Sequence, residues 1–108
     1  MTSPAADALK HRLAGTPTVG VIGLGYVGLP LAVAFAESGA TVVGVDLDAG
    51  RVASVRKGES FIEDVPTETL RPLVEAGRLG ATDGVAALRD ADAIVICVPT
   101  PLGKSKEP

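Results

Sequence analysis

The sequence predicts an α/β fold built on a doubly wound parallel sheet, the Rossmann type, with strand order 3-2-1-4. Three observations support this fold class. Strand-like and helical segments alternate along the chain, and the segments "TVGVIG" and "TVVGVD" are short continuous apolar runs. Such runs are typical of strands buried on both faces of a parallel sheet. A third is the glycine-rich stretch "GLGYVG", which lies between the first run and a helical pattern. Right-handed crossovers between parallel strands then give the expected order.

The first third of the chain predicts a helix, a strand and a second helix. Residues 5–13 form an amphipathic pattern that Gly15 and Pro17 end, and residues 18–23 form the first strand. The helix that follows is expected to bury the apolar residues that recur at helical spacing, namely Val27, Leu31, Ala34 and Phe35. Gly39 is expected to close it.

The middle of the chain predicts a second strand and two helices. Residues 41–46 form the strand, and Asp48 is placed to cap a helix that Gly58 ends. A loop containing "SFIEDVP" leads to a third helix that Gly77 ends. The inward residues of these helices are expected to be Val52, Val55, Leu70, Leu73 and Val74.

The last third predicts two further strands. "LGATD" is a short strand candidate, "VAALRDA" a half-turn or short helix, and residues 92–98 a buried strand that two prolines end. The final segment "PLGKSKEP" is typical of a loop cut in mid-course. We therefore expect residues 1–17 to be an N-terminal helical extension and residues 18–108 an incomplete dinucleotide-binding domain.

Composition narrows the class of protein. The chain has 108 residues, a net charge of −3 and a single cysteine. The charge argues against a nucleic-acid partner, and no apolar run reaches the roughly 20 residues of a membrane span. The N-terminus lacks the apolar core of a secretory signal. A lone cysteine suits a reducing compartment, so we expect a cytoplasmic α/β domain with no membrane partner.

The glycine-rich stretch matches the dinucleotide-binding fingerprint in its expected context. Gly23 permits a tight turn, Gly25 lets the backbone approach a pyrophosphate, and Gly28 lets the helix pack closely on the strand. The free N–H groups from about Tyr26 to Leu29 are expected to face the anion. The fingerprint also requires an acid about 20 residues further on, and Asp46 occupies that place. With Gly25 as the N-cap, Pro30 is tolerated near the helix start.

Four segments together resemble a known family. "GVIGLGYVGLPLA", "VVGVDLDAGRV", "GESFIEDVP" and "ADAIVICVPTPL" are similar to the N-terminal NAD-binding domain of the UDP-glucose/GDP-mannose 6-dehydrogenases. The likeness extends from Lys10 to Pro108. "SFIEDVP" and "PTPLGKSKEP" resemble the branch that oxidises UDP-N-acetylglucosamine.

The resemblance implies an NAD-dependent oxidoreductase that oxidises C6 of a UDP-sugar to the uronate with two NAD+. It also implies a homo-oligomeric parent with a role in polysaccharide biosynthesis. Carried over by motif, the cofactor contacts are Gly23, Gly25, Tyr26, Val27 and Gly28 at the pyrophosphate, Asp46 and Arg51 at the adenosine ribose, and Thr100 near the nicotinamide. Leu102 stands where UDP-glucose relatives carry a second threonine, so we assign it no catalytic role. The family's catalytic residues lie beyond this chain, so we assign none and expect the fragment alone to be inactive.

Alternatives remain at this point. A β-hydroxyacid-type NAD(P) dehydrogenase opens with a similar fingerprint, and a non-catalytic dinucleotide sensor is compatible with the chain length. Cys97 is interpreted as a core residue in a buried strand, and His11 as a solvated surface residue. One histidine and one cysteine supply no metal site. The roles of Glu63 and Asp64 stay open.

Overall fold

Four short apolar segments form a parallel sheet of order β3-β2-β1-β4 in the computed structural model, which describes residues 16–97. The strands are β1 (Thr18–Ile22), β2 (Thr41–Val45), β3 (Leu79–Thr82) and β4 (Ala93–Ile96). β1 pairs in parallel with β2 on one side and with β4 on the other, and β3 pairs with β2. This order confirms the predicted topology. The predicted helix over residues 5–13 lies outside the described residues, as do Val98 and Thr100.

Three α-helices and one short 3₁₀ helix connect the strands. They are α1 (Gly28–Glu37), α2 (Ala49–Arg56), α3 (Thr67–Glu75) and the 3₁₀ helix Val85–Leu88. Glycines follow the three α-helices at the predicted positions, Gly39, Gly58 and Gly77. α1 packs against the sheet and against α3, and α2 packs against β3. The largest fully buried side chains come from the first loop, three helices and three strands: Leu24, Leu29, Leu70, Leu79, Val21, Val42 and Val55.

The predicted buried face of α1 is wrong. The helix buries the residues Leu29, Ala32, Val33 and Ala36, whereas Val27 is 67% exposed. Leu31 and Phe35 are partly buried, and Ala34 is exposed. The reason is that α1 is apolar all round, with Glu37 its only charged residue. Helical spacing alone therefore does not select which stripe meets the sheet.

The predicted start of α1 is also wrong. The helix begins at Gly28 and its N-cap is Val27, whereas the predicted N-cap is Gly25. The Leu29 N–H does donate to the Gly25 carbonyl at 3.1 Å, and the Leu31 N–H donates to Val27 at 3.2 Å. Pro30 lies between these two donors and has no N–H, so the regular ladder of hydrogen bonds begins only after it.

β4 is shorter and more exposed than predicted. It covers Ala93–Ile96 instead of residues 92–98, and it lies at the edge of the sheet. Ile94 is 50% and Ile96 66% exposed, so the prediction of a buried strand is wrong here. Among the described elements β4 packs mainly against β1, and apolar sequence does not bury a strand that has few neighbours. Cys97 is only partly buried, although it does pack against the core.

Candidate functional site

The glycine-rich loop, residues 23–28, leaves the carboxyl end of β1 and enters α1. The Gly23 N–H donates to the Val45 carbonyl at 2.7 Å, which ties the loop to the end of β2. Gly23 has φ +98°, a left-handed conformation that side chains with a Cβ adopt with difficulty. The turn therefore requires glycine at this position, as the fingerprint predicts.

Gly28 is required for a different reason, which is close packing. A Cβ on Gly28 would overlap the carbonyl oxygen of Gly23 and would lie 3.4 Å from the Cβ of Cys97. Because the first of these neighbours is backbone, it cannot move aside as a flexible side chain can. Gly28 thus allows α1 to start directly against the end of β1.

Of the three fingerprint glycines, Gly25 is the one that the folded chain itself does not require. A Cβ there would meet only the Arg51 guanidinium, with Nη1 at an ordinary contact distance of 3.5 Å, and its φ is not left-handed. In the part of the chain that the structure describes, the N–H groups of residues 25–28 donate to no acceptor. A backbone with free donors and no Cβ at its surface suits a bound anion.

Asp46 connects the glycine-rich loop to the loop that follows β2. Its Oδ2 accepts from the Leu24 N–H at 2.8 Å, and its Oδ1 accepts from the Asp48 N–H at 2.8 Å. Burial, the largest single influence, raises the pKa of Asp46, but hydrogen bonds from Asp48, Leu24 and Arg51 together hold its pKa below the usual value. The group is therefore an anion at neutral pH.

Arg51 lies beside this carboxylate. Its Nη1 is 3.3 Å from Asp46 Oδ2 and its guanidinium carbon is 5.9 Å from the centre of the Phe61 ring. α2 sets the position of Arg51 because Asp48 caps that helix, with Oδ1 accepting from the Gly50 and Arg51 N–H groups at 2.8 and 3.2 Å. The predicted cap is confirmed, and the predicted neighbours Asp46 and Arg51 form an ion pair.

The loop of residues 60–67 reaches the same end of the sheet. Together with the exposed Tyr26 of the glycine-rich loop it lines a cavity of about 210 Å³, whose walls are Tyr26, Phe61, Ile62, Glu63 and Asp64. Phe61 is a site residue that sequence reasoning missed. The sequence leaves the roles of Glu63 and Asp64 in "SFIEDVP" open, and nothing in the spacing of this segment indicates that it folds back onto residues 26 and 51.

Seven of the eight sequence-predicted site residues lie at this end of the sheet; Thr100 is outside the described residues. The seven are Gly23, Gly25, Tyr26, Val27, Gly28, Asp46 and Arg51. Residues 16–97 contain no group of three or more His, Cys, Asp or Glu side chains that could hold a metal ion. No helix within that range is long and apolar enough to cross a bilayer.

Comparison with known proteins gives a consistent family match. The model of the UDP-glucose/GDP-mannose dehydrogenase family, NAD-binding domain, matches residues 17–108. UDP-N-acetyl-D-glucosamine 6-dehydrogenase of Pseudomonas aeruginosa is 41% identical over 90 residues, which are 83% of this chain and 20% of that protein. UDP-N-acetyl-D-mannosamine dehydrogenase of Pyrococcus horikoshii is 39% identical over 85 residues, 78% of this chain and 20% of that protein.

Solved structures match the same family. The ternary complex of GDP-mannose dehydrogenase from Pseudomonas aeruginosa matches with a TM-score of 0.75 and 34% identity, over 80% of this chain and 20% of that one. A UDP-glucose dehydrogenase from Pyrobaculum islandicum matches with a TM-score of 0.77 and 36% identity, over 86% of this chain and 22% of that one. The chain thus spans about a fifth of the length of these relatives. These matches do not favour the β-hydroxyacid-type dehydrogenase or the non-catalytic sensor.

Proposed function

We propose, from the premise that this chain belongs to the NAD-binding domain of the UDP-glucose/GDP-mannose dehydrogenase family, that it holds the adenosine and pyrophosphate of NAD. In this proposal it is the cofactor-binding part of a longer nucleotide-sugar dehydrogenase. The observation that carries the proposal is Gly25, whose missing Cβ serves no internal need of the fold.

The residues at the site fit the cofactor in distinct roles. The free N–H groups of residues 25–28 would bind the pyrophosphate, and the exposed Tyr26 and Val27 would flank it. Asp46 would accept from the adenosine ribose. A carboxylate has about four lone-pair positions, and Leu24, Asp48 and Arg51 already use three of them. One ribose hydroxyl can therefore bind directly, while a second requires Arg51 to move. Thr100 is proposed to lie near the nicotinamide.

Gly25→Ala tests the proposal on the chain itself. We expect the variant to fold like the wild type but to bind adenosine diphosphate ribose at least about tenfold more weakly, a loss of about 1.4 kcal/mol. The control is Gly84→Ala, because a Cβ at Gly84 meets nothing within 4 Å. Calorimetric titration and thermal melts of both variants give the result. Unchanged affinity in Gly25→Ala, or equal loss in both variants, contradicts the proposal.

We propose that the longer protein oxidises C6 of a UDP-N-acetylhexosamine to the uronate. Bound NAD+ supplies a hydride acceptor, and this chain's residues bind and orient it. Two relatives with 41% and 39% identity are named for UDP-N-acetylglucosamine and UDP-N-acetylmannosamine. Steady-state assays of the full-length protein should give a higher kcat/KM with these sugars than with UDP-glucose. Equal values contradict the assignment. The 108-residue chain alone is expected to form no NADH with these sugars, and NADH formation above a no-protein blank would contradict that separate expectation.

We propose that Asp46 makes the protein prefer NAD over NADP. A 2′-phosphate would bring about two negative charges against the carboxylate, and one like-charge contact at ~4 Å costs about 1 kcal/mol in water and about 4 at an intermediate dielectric. Asp46→Asn should lower the ratio of the affinity for NAD to the affinity for NADP. Because Asp46 also accepts from two backbone N–H groups, thermal melts must accompany the binding assays. NADP preferred by the wild type, or a preference unchanged in the variant, contradicts this role.

We further propose that the longer protein is a cytoplasmic homo-oligomer that provides uronates for polysaccharide biosynthesis. The lone cysteine supports the cellular setting, and the family resemblance supports the rest. Cell fractionation and light scattering of the full-length protein test the location and the assembly.

A further inference from the structure

Phe61 occupies a fixed position beside the ribose end of the proposed site. Ser60 on one side of it donates its N–H to Thr67 Oγ1 at 3.0 Å and its hydroxyl to the Ile62 carbonyl at 3.0 Å. Ile62 on the other side is buried in the core. Phe61 itself is 36% exposed, and the centre of its ring lies 5.9 Å from the guanidinium carbon of Arg51.

Arg51 has three neighbours that together define its position. They are the Asp46 carboxylate at 3.3 Å, the Phe61 ring at 5.9 Å and the surface of Gly25, whose absent Cβ would lie 3.5 Å from Nη1. The Arg51 side chain is still 38% exposed. The Arg51 side chain can therefore rotate into solvent when one of these neighbours is removed.

We propose that Phe61 is a positioning residue that holds Arg51 against Asp46 and thereby strengthens discrimination against a 2′-phosphate. The inference rests on the proposed NAD-binding function. An arginine near the adenosine ribose can accommodate a 2′-phosphate, but only if its guanidinium is free to face it. Here the face of an aromatic ring attracts the cation and the carboxylate neutralises it. Binding a 2′-phosphate requires Arg51 to leave both partners.

Phe61→Leu is the test, because leucine keeps an apolar side chain without a ring. The probes are adenosine diphosphate ribose and its 2′-phosphorylated form. A cation–π contact at an exposed site corresponds to an affinity change of about two- to fivefold. We expect affinity for the 2′-phosphorylated probe to rise by this factor relative to the other probe. Phe61→Tyr, which keeps the ring, should leave the ratio unchanged.

A double-mutant cycle separates positioning from general destabilisation. In an Arg51→Gln background, Phe61→Leu should no longer change the ratio of the two affinities. Proton NMR gives an independent readout, since the upfield ring-current shift of the Arg51 side-chain protons should disappear in Phe61→Leu and persist in Phe61→Tyr.

The outcomes distinguish this inference from the proposed function. If the wild type binds neither probe, the proposed function fails. If the wild type binds adenosine diphosphate ribose but Phe61→Leu leaves the ratio unchanged or lowers it, only the positioning role is wrong. A ratio that rises equally in the Arg51→Gln background overturns it as well, because Arg51 would not be the residue that Phe61 acts through.

Discussion

The side chain of Asp46 joins two loops that are distant in sequence. It accepts from the Leu24 N–H in the turn after β1 and from the Asp48 N–H in the turn after β2. Its side chain is only 9% exposed. A carboxylate in this setting stabilises the fold because its hydrogen-bond donors would otherwise lack partners. The residue proposed to meet the cofactor is thus also part of the scaffold that shapes the glycine-rich loop.

The lowered pKa of Asp46 predicts a pH-dependent contribution to stability. Because the folded-state pKa lies below the ordinary 3.8, the carboxylate stabilises the fold above that value, and the contribution is lost as the pH falls through the folded-state pKa. Asp46→Asn should lower the free energy of unfolding by about 1.5 to 3 kcal/mol at pH 7, and by progressively less below pH 3.8. Urea titrations at several pH values measure this.

The control for this experiment is Asp90→Asn, because Asp90 is exposed in the turn before β4. A difference between wild type and Asp46→Asn that stays constant down to the lowest accessible pH would show that the carboxylate's ionisation is not what stabilises the fold.

Single residues differ in how far the sequence predicts their roles. The motif predicts the roles of Gly23, Gly28 and Asp46. Its glycines act within one short loop, and its acid lies at a known separation from them. The role of Phe61 does not follow from the motif, because its contact with Arg51 depends on how the loop of residues 60–67 folds back over the end of the sheet. No periodicity in the sequence encodes that tertiary contact.

Among the elements, the start of α2 is set locally by its cap, whereas the buried face of α1 is set by the elements packed around it. The predicted cap of α2 is confirmed because Asp48 acts locally, through its own carboxylate and the N–H groups of Gly50 and Arg51. The buried face of α1 was predicted wrongly because nearly all its residues are apolar. A helix of that composition takes its orientation from the sheet, from α3 and from the Gly23–Gly28 contact, which are tertiary features.

Removal of the α2 cap should destabilise both the helix and the site. Asp48→Ala should lower the free energy of unfolding by about 1 kcal/mol, within the usual range of 0.5–2 kcal/mol for lost caps. Asp48→Asn preserves an acceptor oxygen and should cost much less. Urea denaturation of the two variants gives the comparison, and equal losses would mean that the hydrogen bonds to Gly50 and Arg51 are not what matters.

For the molecule as a whole, β4 is the more exposed of the two edge strands of the sheet. Its outer edge has no strand partner among the described residues, and Ile94 and Ile96 are half or more exposed. An exposed apolar edge strand favours association between chains. We therefore expect the 108-residue chain to be marginally stable and to self-associate as its concentration rises.

Ile96→Lys should reduce that self-association, because a charge on an edge strand opposes pairing with another chain. Val85→Lys is the matched control: Val85 is 64% exposed, close to the 66% of Ile96, but lies outside the sheet. Light scattering over a concentration series measures the effect. A monomeric wild type with a sharp cooperative melt would contradict the expectation, and so would equal improvement by Val85→Lys.

The pairing of β1 with β4 also has a consequence for the order of events during synthesis. Of the described strands, β1 is the first to be made and lies inside the sheet, yet Val19 pairs with Ala93, which is translated much later. At about 5–20 residues per second, the ribosome takes on the order of 4 to 15 s to cover that interval. During this time β1, α1 and β2 can already assemble, but the edge of β1 that pairs with β4 has no partner yet. The nascent chain is thus open to chaperones, or to other nascent chains, at what later becomes an inner strand.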